Sequence, residues 1–155
     1  MSVSDRLAEL GIELLEVVPP VASYVPAVRA GNLVLTSGQL PMVDGVMAFT
    51  GKVGTGAGLV SPHDAAALAR TAALNGLAAA AALVGLDNIR RVVKVVGFVA
   101  SDPAFTGQPG VINGASNVLQ EIFGEAGVHA RSAVGVAVLP LDAPVEVELT
   151  VEVAS

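Results

Sequence analysis

A single arginine in the last third of the chain heads an apolar run, and a ladder of carboxylates follows it. Arg131 opens the run ARSAVGVAVLP, and the later segment VEVELTVEV alternates apolar with mostly acidic residues. A guanidinium binds a carboxylate through two parallel hydrogen bonds. The pattern predicts either a structural ion pair between Arg131 and a glutamate of the ladder or a site for a small carboxylic acid. Pattern alone favours the ion pair, because structural pairs outnumber binding sites.

Alternation along a strand sorts these side chains by face. The polar face of the last segment holds Glu146, Glu148, Thr150 and Glu152. The face that holds Arg131 is otherwise made of small residues: Ala133, Gly135 and Ala137. We expect this face to form a shallow floor with a guanidinium at its edge and with room for a ligand.

The choice of glutamate depends on how the last two strands meet. A hairpin closed by residues 139–144 would pair Val138 with Val145 and place Arg131 opposite Glu152, not opposite Glu146. The sequence by itself therefore leaves the choice among the glutamates open.

Composition bounds the class of protein. The chain has 155 residues, about the size of one domain, and 53% of them are hydrophobic. Only 14% are charged, against roughly 25% in ordinary soluble domains. A small domain with so few charges is expected to bury part of its surface against copies of itself. We therefore predict one domain, residues 1–155, in an oligomer.

Charge and composition also exclude partners. The net charge of −6 and five scattered aromatic residues argue against nucleic acid. The chain has no cysteine, and the two histidines, His63 and His129, lie far apart, so no metal site is expected. The most apolar helical stretch, Leu74–Leu86, is shorter than the roughly 20 residues that span a membrane. We expect a cytoplasmic protein without a membrane partner.

Apolar periodicity and turn residues predict the elements that position these side chains. The predicted helices run from Ser2 or Ser4 to Leu10, from Ser61-Pro62 to Val84, and from Pro109 to Phe123, and each is followed by a glycine. The predicted strands are Ile12–Val18, Tyr24–Arg29, Leu33–Ser37, Val46–Phe49, Arg91–Ala100, Ser132–Leu139 and Val145–Val153. Two long helices on one face of a mixed sheet make an α+β layer arrangement.

Several motifs together resemble a known family. HARSAVGVAVLP followed by VEVE, the tyrosine of ASYVPAVRAG, and NLVLTSGQLP are similar to the Rid (YjgF) family of reactive-intermediate deaminases. NGASNVLQEIFGEAG and GKVG resemble its longer branch, in which residues 1–20 would be an N-terminal extension. The resemblance covers the chain from Tyr24 onward. It implies a chorismate-mutase-like fold and a homotrimer with clefts between subunits. It also implies hydrolysis of 2-imino or 2-enamino acids to 2-keto acids and ammonia, without a cofactor.

The resemblance also assigns roles to individual residues. The arginine that clamps the substrate carboxylate falls on Arg131, and the glutamate that orders or activates water falls on Glu146. Tyr24 and Ser37 fall on residues near the imine, with Gly38 beside the serine.

Two positions depart from many relatives. Ala133 replaces a cysteine, which removes a polarizable contact but no obligatory catalytic group, and Ser116 replaces an asparagine of the second helix, with Asn113 and Asn117 close by. Both positions are expected to border the substrate.

Two alternative functions remain at this stage. The same arginine could serve a regulator that senses a 2-keto acid or an amino acid without catalysis. A ribonuclease, an activity attributed to some relatives, is disfavoured by the acidic charge.

The glycine-rich segment Gly51–Gly58 lacks the order of a phosphate loop and is interpreted as a turn or lid. His63 is interpreted as a helix-start residue. His129 is interpreted as a solvated loop residue, with a place on the Arg131 face at the mouth of the cleft as the alternative if the strand begins early.

Overall fold

One mixed sheet of five strands organises the molecule, with helices on one of its faces. The computed structural model describes residues 1–17, 20 and 22–155. The strands are β1 (Ala27–Ala30), β2 (Leu33–Thr36), β3 (Ile89–Ala100), β4 (Ala130–Val136) and β5 (Val145–Val153). The helices are α1 (Val3–Leu10), α2 (Pro62–Val84) and α3 (Gln108–Phe123). Short 3-10 turns lie at Leu86–Asn88, Gly124–Gly127 and Pro140–Asp142.

The order of the strands across the sheet is β1-β2-β5-β3-β4. β3 and β4 are parallel, because α3 carries the chain back between them, and the other pairs are antiparallel. β5 therefore lies at the centre, whereas β4, which bears Arg131, lies at an edge. The predicted α+β arrangement with α2 and α3 on one face is confirmed.

Helix ends follow the capping signals in the sequence. Ser61 caps α2 by accepting the backbone N–H of Asp64 at 3.1 Å, and Pro62 occupies the first turn, where no donor is needed. The N–H of Gly85 closes the other end on Ala81 O. Ser2 and Asp5 form a capping box at α1, and Gly11 ends that helix in a left-handed conformation. All three predicted helices are present within one residue of their predicted ends.

α2 is a core helix. Its small side chains Ala65, Ala69, Ala72, Ala73 and Ala80 have no exposed surface. By length and mean hydropathy its 23 residues would suffice to cross a membrane, so the argument from the short stretch Leu74–Leu86 does not hold. The packing of α2 is the better argument against a membrane span: 56% of its apolar window is buried inside the protein, against the sheet and α3.

β5 forms the floor of the core through strict alternation. Val145, Val147, Leu149, Val151 and Val153 are all buried under the helices. The acidic residues and Thr150 point to the opposite, open face and are half-buried. The predicted division of this strand into a core face and a polar face is confirmed.

Three predicted pieces of the sheet are wrong. Residues 12–17 form no strand, and Val18 lies outside the described residues. Ile12 and Leu14 instead pack on the core as an extended segment, which gives the same alternation as a strand. Residues Val46–Phe49 form no strand either, because the turn at Asp44-Gly45 closes a single bridge between Val43 and Val46.

The third error concerns the last two strands. The prediction joined β4 and β5 as a hairpin, whereas β3 lies between them and pairs with both. The turn Pro140–Asp142, with Leu141 and Asp142 both at φ 57°, redirects the chain across β3. β4 also stops at Val136 instead of Leu139, because its partner β3 ends at Ala100. Arg131 is consequently opposite neither Glu152 nor Glu146.

Candidate functional site

Arg131 lies on the helix-covered face of β4 and is held by α3. Its Nη1 donates to Asn113 Oδ1 at 2.8 Å and to Ser116 Oγ at 3.2 Å. Its Nη2 donates to the carbonyl oxygen of Pro109 at 3.2 Å. These three partners follow the spacing i, i+4, i+7 and so form one stripe along the helix. The guanidinium is therefore anchored at three points before any ligand binds.

The anchors use three of the five N–H donors of the guanidinium. All three acceptors are neutral, so the positive charge is not balanced by a carboxylate. Within the described ranges the one ion pair joins Arg6 to Glu9. The expected ion pair between Arg131 and a glutamate of β5 is therefore wrong, since β5 is two strands away.

The floor beside Arg131 is partly covered by the start of α3. Ala133 packs against the core, as expected for the same face of the strand. A side chain at Gly135 would lie 2.7 Å from Gln108 Nε2 and 3.1 Å from Ser101 Oγ. Glycine is needed at position 135 for this close approach, and the open space expected there is filled by Gln108.

His129 lies behind Arg131 and is not a solvated loop residue. It is half-buried, with Nε2 2.9 Å from Ser116 Oγ and Nδ1 hydrogen-bonded to the carbonyl oxygen of Gly127. Sequence reasoning missed this contact and gave Asn113 no role. The available signal was the polar pair Asn113 and Ser116, which lie three residues apart and are therefore neighbours on the surface of α3.

A second group of predicted residues lies where β2 ends beside β5. Gly38 packs against Glu146: a side chain at position 38 would lie 3.0 Å from Glu146 Cγ and 2.7 Å from its Cδ. Only glycine lets the carboxylate lie against the backbone here. Burial raises the pKa of the Glu146 carboxyl above its ordinary value, and the neighbouring charge of Glu148 raises that pKa further.

Ser37 and Tyr24 lie beside this group. Ser37 Oγ donates to the carbonyl oxygen of Val25 at 2.7 Å, which ties the end of β2 to the segment that carries Tyr24. Tyr24 is 47% exposed. Gln39 and Val147 exchange backbone hydrogen bonds of 2.8 and 3.0 Å, which lock this segment to β5. The structure therefore brings Ser37, Gly38 and Glu146 together.

The two groups lie on opposite faces of the sheet. Val95 pairs with both Arg131 and Leu149, and Leu149 is buried under the helices, so Arg131 belongs to the helix face. Phe98 pairs with both Val134 and Glu146, which belong to the open face. One chain thus presents two half-sites that do not face each other.

The described part of the chain gathers no cluster of three or more histidine, aspartate or glutamate side chains able to hold a metal. The glycine-rich segment folds back on itself, with Val53 paired to Val60 and to Ser101. His63 is exposed near the start of α2, as its position in the sequence predicts.

Comparison with known proteins places the chain in a family. Residues 4–153 match the family model described as YjgF/chorismate mutase-like, putative endoribonuclease. Protein TCP17 of Trypanosoma cruzi is 43% identical over 152 residues, which cover 97% of this chain and 93% of that protein.

Solved structures agree with this match. Atu1372 of Agrobacterium tumefaciens, a protein of unknown function, is 45% identical and superposes with a TM-score of 0.87, covering 98% of this chain and 92% of that one. E. coli TdcF, solved with bound serine, is 25% identical with a TM-score of 0.64, covering 90% and 94%. The five-stranded sheet with its helices is thus the chorismate-mutase-like fold, and the chain belongs to the YjgF family.

Proposed function

We propose that the protein is a hydrolase that converts reactive 2-imino or 2-enamino acids to 2-keto acids and ammonia. The observation that carries this proposal is the guanidinium of Arg131, which is anchored by three neutral acceptors and has no carboxylate partner in the described chain. A cation that the protein holds in place without a counter-charge is suited to an anionic ligand. A small carboxylic acid fits both the two remaining donors and the modest size of the neighbours.

The second half-site supplies the groups that the reaction needs. Burial raises the pKa of the Glu146 carboxyl, which makes its carboxylate a stronger base toward water than an ordinary glutamate. Glu146 therefore orders the water and takes its proton. The hydroxyl group of Ser37 donates a hydrogen bond to the carbonyl oxygen of Val25, so the oxygen of Ser37 can accept a hydrogen bond from an iminium N–H. Tyr24, with its exposed ring, can hydrogen-bond the same nitrogen.

The reaction then proceeds with balanced atoms. Arg131 holds the carboxylate, and the iminium carbon is already electrophilic, so positioning and proton transfer suffice. Water adds to this carbon while Glu146 accepts a proton, which gives a tetrahedral amino alcohol. Proton transfer to the nitrogen and loss of ammonia leave the 2-keto acid. None of these steps requires a metal or an organic cofactor.

A complete site requires a second copy of the chain. Because Arg131 and Glu146 lie on opposite faces of the sheet, we propose that each cleft combines Arg131 of one subunit with Glu146, Ser37 and Tyr24 of another. The open face offers an apolar surface for such an assembly. Its exposed large residues include Val28, Leu33, Leu35 and Val134. A homotrimer with clefts between subunits meets this requirement, and the low content of charged residues agrees with it.

Family relatives support the ligand class without deciding the activity. TdcF binds serine, an amino acid whose carboxylate matches the chemistry of Arg131. The half-sites would equally serve a regulator that binds a keto acid or an amino acid without turnover. The family description names an endoribonuclease, but the net charge of −6 counts against RNA binding. A cytoplasmic location remains a prediction from the absence of cysteine.

The decisive experiment follows ammonia and keto-acid release from 2-aminoacrylate generated in solution. We expect the wild-type protein to exceed the uncatalysed rate and Arg131→Ala to fall to it. Arg70→Ala, which removes an exposed arginine of α2, is the matched control and should keep full activity. A wild type no faster than Arg131→Ala would sink the hydrolase proposal, and calorimetric binding of a 2-keto acid would then favour the regulator. Cleavage of single-stranded RNA by wild type would favour the ribonuclease.

A further inference from the structure

Two residues behind Arg131 form a hydrogen-bonded chain with it. Arg131 Nη1 lies 3.2 Å from Ser116 Oγ, and Ser116 Oγ lies 2.9 Å from His129 Nε2. The other ring nitrogen, Nδ1, is bonded to the carbonyl oxygen of Gly127. Ser116 is only 5% exposed, so water has little access to its hydroxyl group. The protein alone therefore decides where the proton of this hydroxyl points.

The direction of the chain follows from the chemistry of its ends. A carbonyl oxygen only accepts, so the Nδ1 of His129 must carry the ring proton of the neutral imidazole. Nε2 is then an acceptor and receives a hydrogen bond from the hydroxyl group of Ser116. A guanidinium only donates, so the oxygen of Ser116 receives the N–H of Arg131. With the neutral imidazole, every donor of the chain thus meets an acceptor.

We propose that His129 is a positioning residue for the carboxylate clamp, acting on Arg131 through Ser116. By accepting a hydrogen bond from the hydroxyl group of Ser116, His129 keeps the lone pairs of that oxygen turned toward Nη1 of Arg131. Asn113 and Pro109 hold the other anchored N–H groups, so the guanidinium plane is fixed and one N–H on Nε and one on Nη2 are left for a ligand. This inference rests on the proposed function, since it assigns the purpose of that fixed orientation to binding the substrate carboxylate.

Loss of the imidazole would release this arrangement. A serine inside a helix readily turns its hydroxyl toward the carbonyl four residues earlier, here that of Ile112. The oxygen of Ser116 would then present a different direction to Arg131, and the guanidinium would lose one of its three anchors. The consequence falls on carboxylate binding, not on the chemical step, because His129 does not touch the reacting atoms.

Two substitutions separate the functions of the two ring nitrogens. The amide of His129→Asn can still donate to Gly127 but ends short of Ser116, whereas the longer His129→Gln places an acceptor near the position of Nε2. We expect His129→Asn to raise KM and the Kd for a 2-keto acid about 3- to 10-fold with kcat unchanged. His129→Gln should stay within about twofold of wild type. In a Ser116→Ala background, His129→Asn should have no further effect.

The outcomes divide cleanly. Wild-type KM in His129→Asn, a loss confined to kcat, or effects of His129→Asn and Ser116→Ala that multiply in the double variant would each overturn the proposal. Equal KM in the Gln and Asn variants would also overturn it, because the acceptor at Nε2 would then be irrelevant. A wild type that neither turns over imines nor binds keto acids would instead defeat the proposed function.

The hydrogen-bonded chain can also be tested without substrate. Nitrogen-15 spectra of the imidazole rings of the intact protein distinguish the two neutral tautomers, and the exposed His63 provides an internal reference. We expect the Nδ1–H tautomer for His129 in wild type and also in Ser116→Ala, because the carbonyl oxygen of Gly127 still requires a donor at Nδ1. Finding the Nε2–H tautomer in wild type would contradict the chain from Arg131 to His129.

Discussion

The two half-sites are built in opposite ways. The one around Arg131 lies on the packed face of the sheet, where α3 supplies all three acceptors of the guanidinium and the glycines allow close contact. The one around Glu146 lies on the open face, at the junction of β2 and β5, where a half-buried carboxyl rests against Gly38. Contacts within one chain hold the half-site around Arg131 in place, whereas the half-site around Glu146 is only half enclosed.

This difference supports the proposed cleft between two copies of the chain. The packed face positions a charge accurately, because rigid elements and hydrogen bonds hold it. The open face leaves room for water and substrate, but it needs a cover. A second copy would bring the packed half-site of one subunit against the open half-site of the next.

The largest effect should come from mixing two inactive variants. If each cleft takes Arg131 from one subunit and Glu146 from another, unfolding and refolding Arg131→Ala with Glu146→Gln at equal amounts leaves some clefts with both groups intact. Random assembly predicts recovery to about a quarter of wild-type activity, measured as keto-acid release. Each variant refolded alone is the control. No recovery in a mixture whose mass confirms mixed oligomers would show that both groups act within one chain.

A packing substitution should have the next largest effect. A side chain at Gly114 of α3 would lie 2.7 Å from the carbonyl carbon of Ala66, so Gly114→Ala must push α2 and α3 apart. We expect a loss of about 2–4 kcal/mol in the free energy of unfolding, measured with urea. Gly110→Ala in the same helix meets no atom within 4 Å and should be neutral or slightly stabilising. Equal stability of both variants would refute the close packing of this face.

On the open face, Gly38→Ala should reduce activity without a comparable loss of stability. The added methyl group would collide with the carboxyl group of Glu146 and displace it. We expect kcat/KM to fall about 10- to 100-fold, because small misplacements of a catalytic group are costly. Gly56→Ala, which adds a methyl group in ordinary contact with Leu59, should keep wild-type activity. Unchanged activity in Gly38→Ala would separate Glu146 from the chemistry.

The smallest expected effect concerns the charge of Glu146. Its raised pKa means that the folded protein holds this proton more tightly than the unfolded chain does. The group therefore stabilises the fold below the ordinary pKa of a glutamate, and this contribution is lost as pH rises through the raised value. Glu146→Gln should increase Tm by about 1–3 °C at neutral pH and by nothing near pH 4.

The exposed Glu13 provides the matched control for this last measurement, since Glu13→Gln removes a carboxylate in contact with water. Its Tm should follow wild type at both pH values. A decrease of Tm in Glu146→Gln at neutral pH would show that the charge of Glu146 is favourably paired, contrary to the open half-site described above.

Much of the fold could be predicted because the signals are local. Ser61, Pro62 and Gly85 bound α2 through capping chemistry that needs only neighbouring residues. The alternation in β5 sorted core valines from glutamates, because successive strand residues face opposite ways. The same rule failed for Ile12–Val18 and for Val46–Phe49, because alternation shows a half-buried extended chain and does not show whether a partner strand is present.

Sequence motifs predicted the residues of both half-sites, which are Arg131, Glu146, Tyr24, Ser37, Gly38, Ala133 and Ser116. Their roles in catalysis and binding stay predictions. The hydrogen bonds of Arg131 with Asn113 and of Ser116 with His129 were missed. Contacts between a helix and a strand depend on how the helix is rotated over the sheet. One sequence does not fix that rotation.

Local signals were enough to place the ends of the helices and to assign each side chain to a face within its own strand. The insertion of β3 between β4 and β5, and the placement of Arg131 and Glu146 on opposite faces of the sheet, depend on tertiary packing. Local alternation fixes the relative direction of side chains along one strand. The pairing of distant strands is set by packing of the whole core, to which every element contributes.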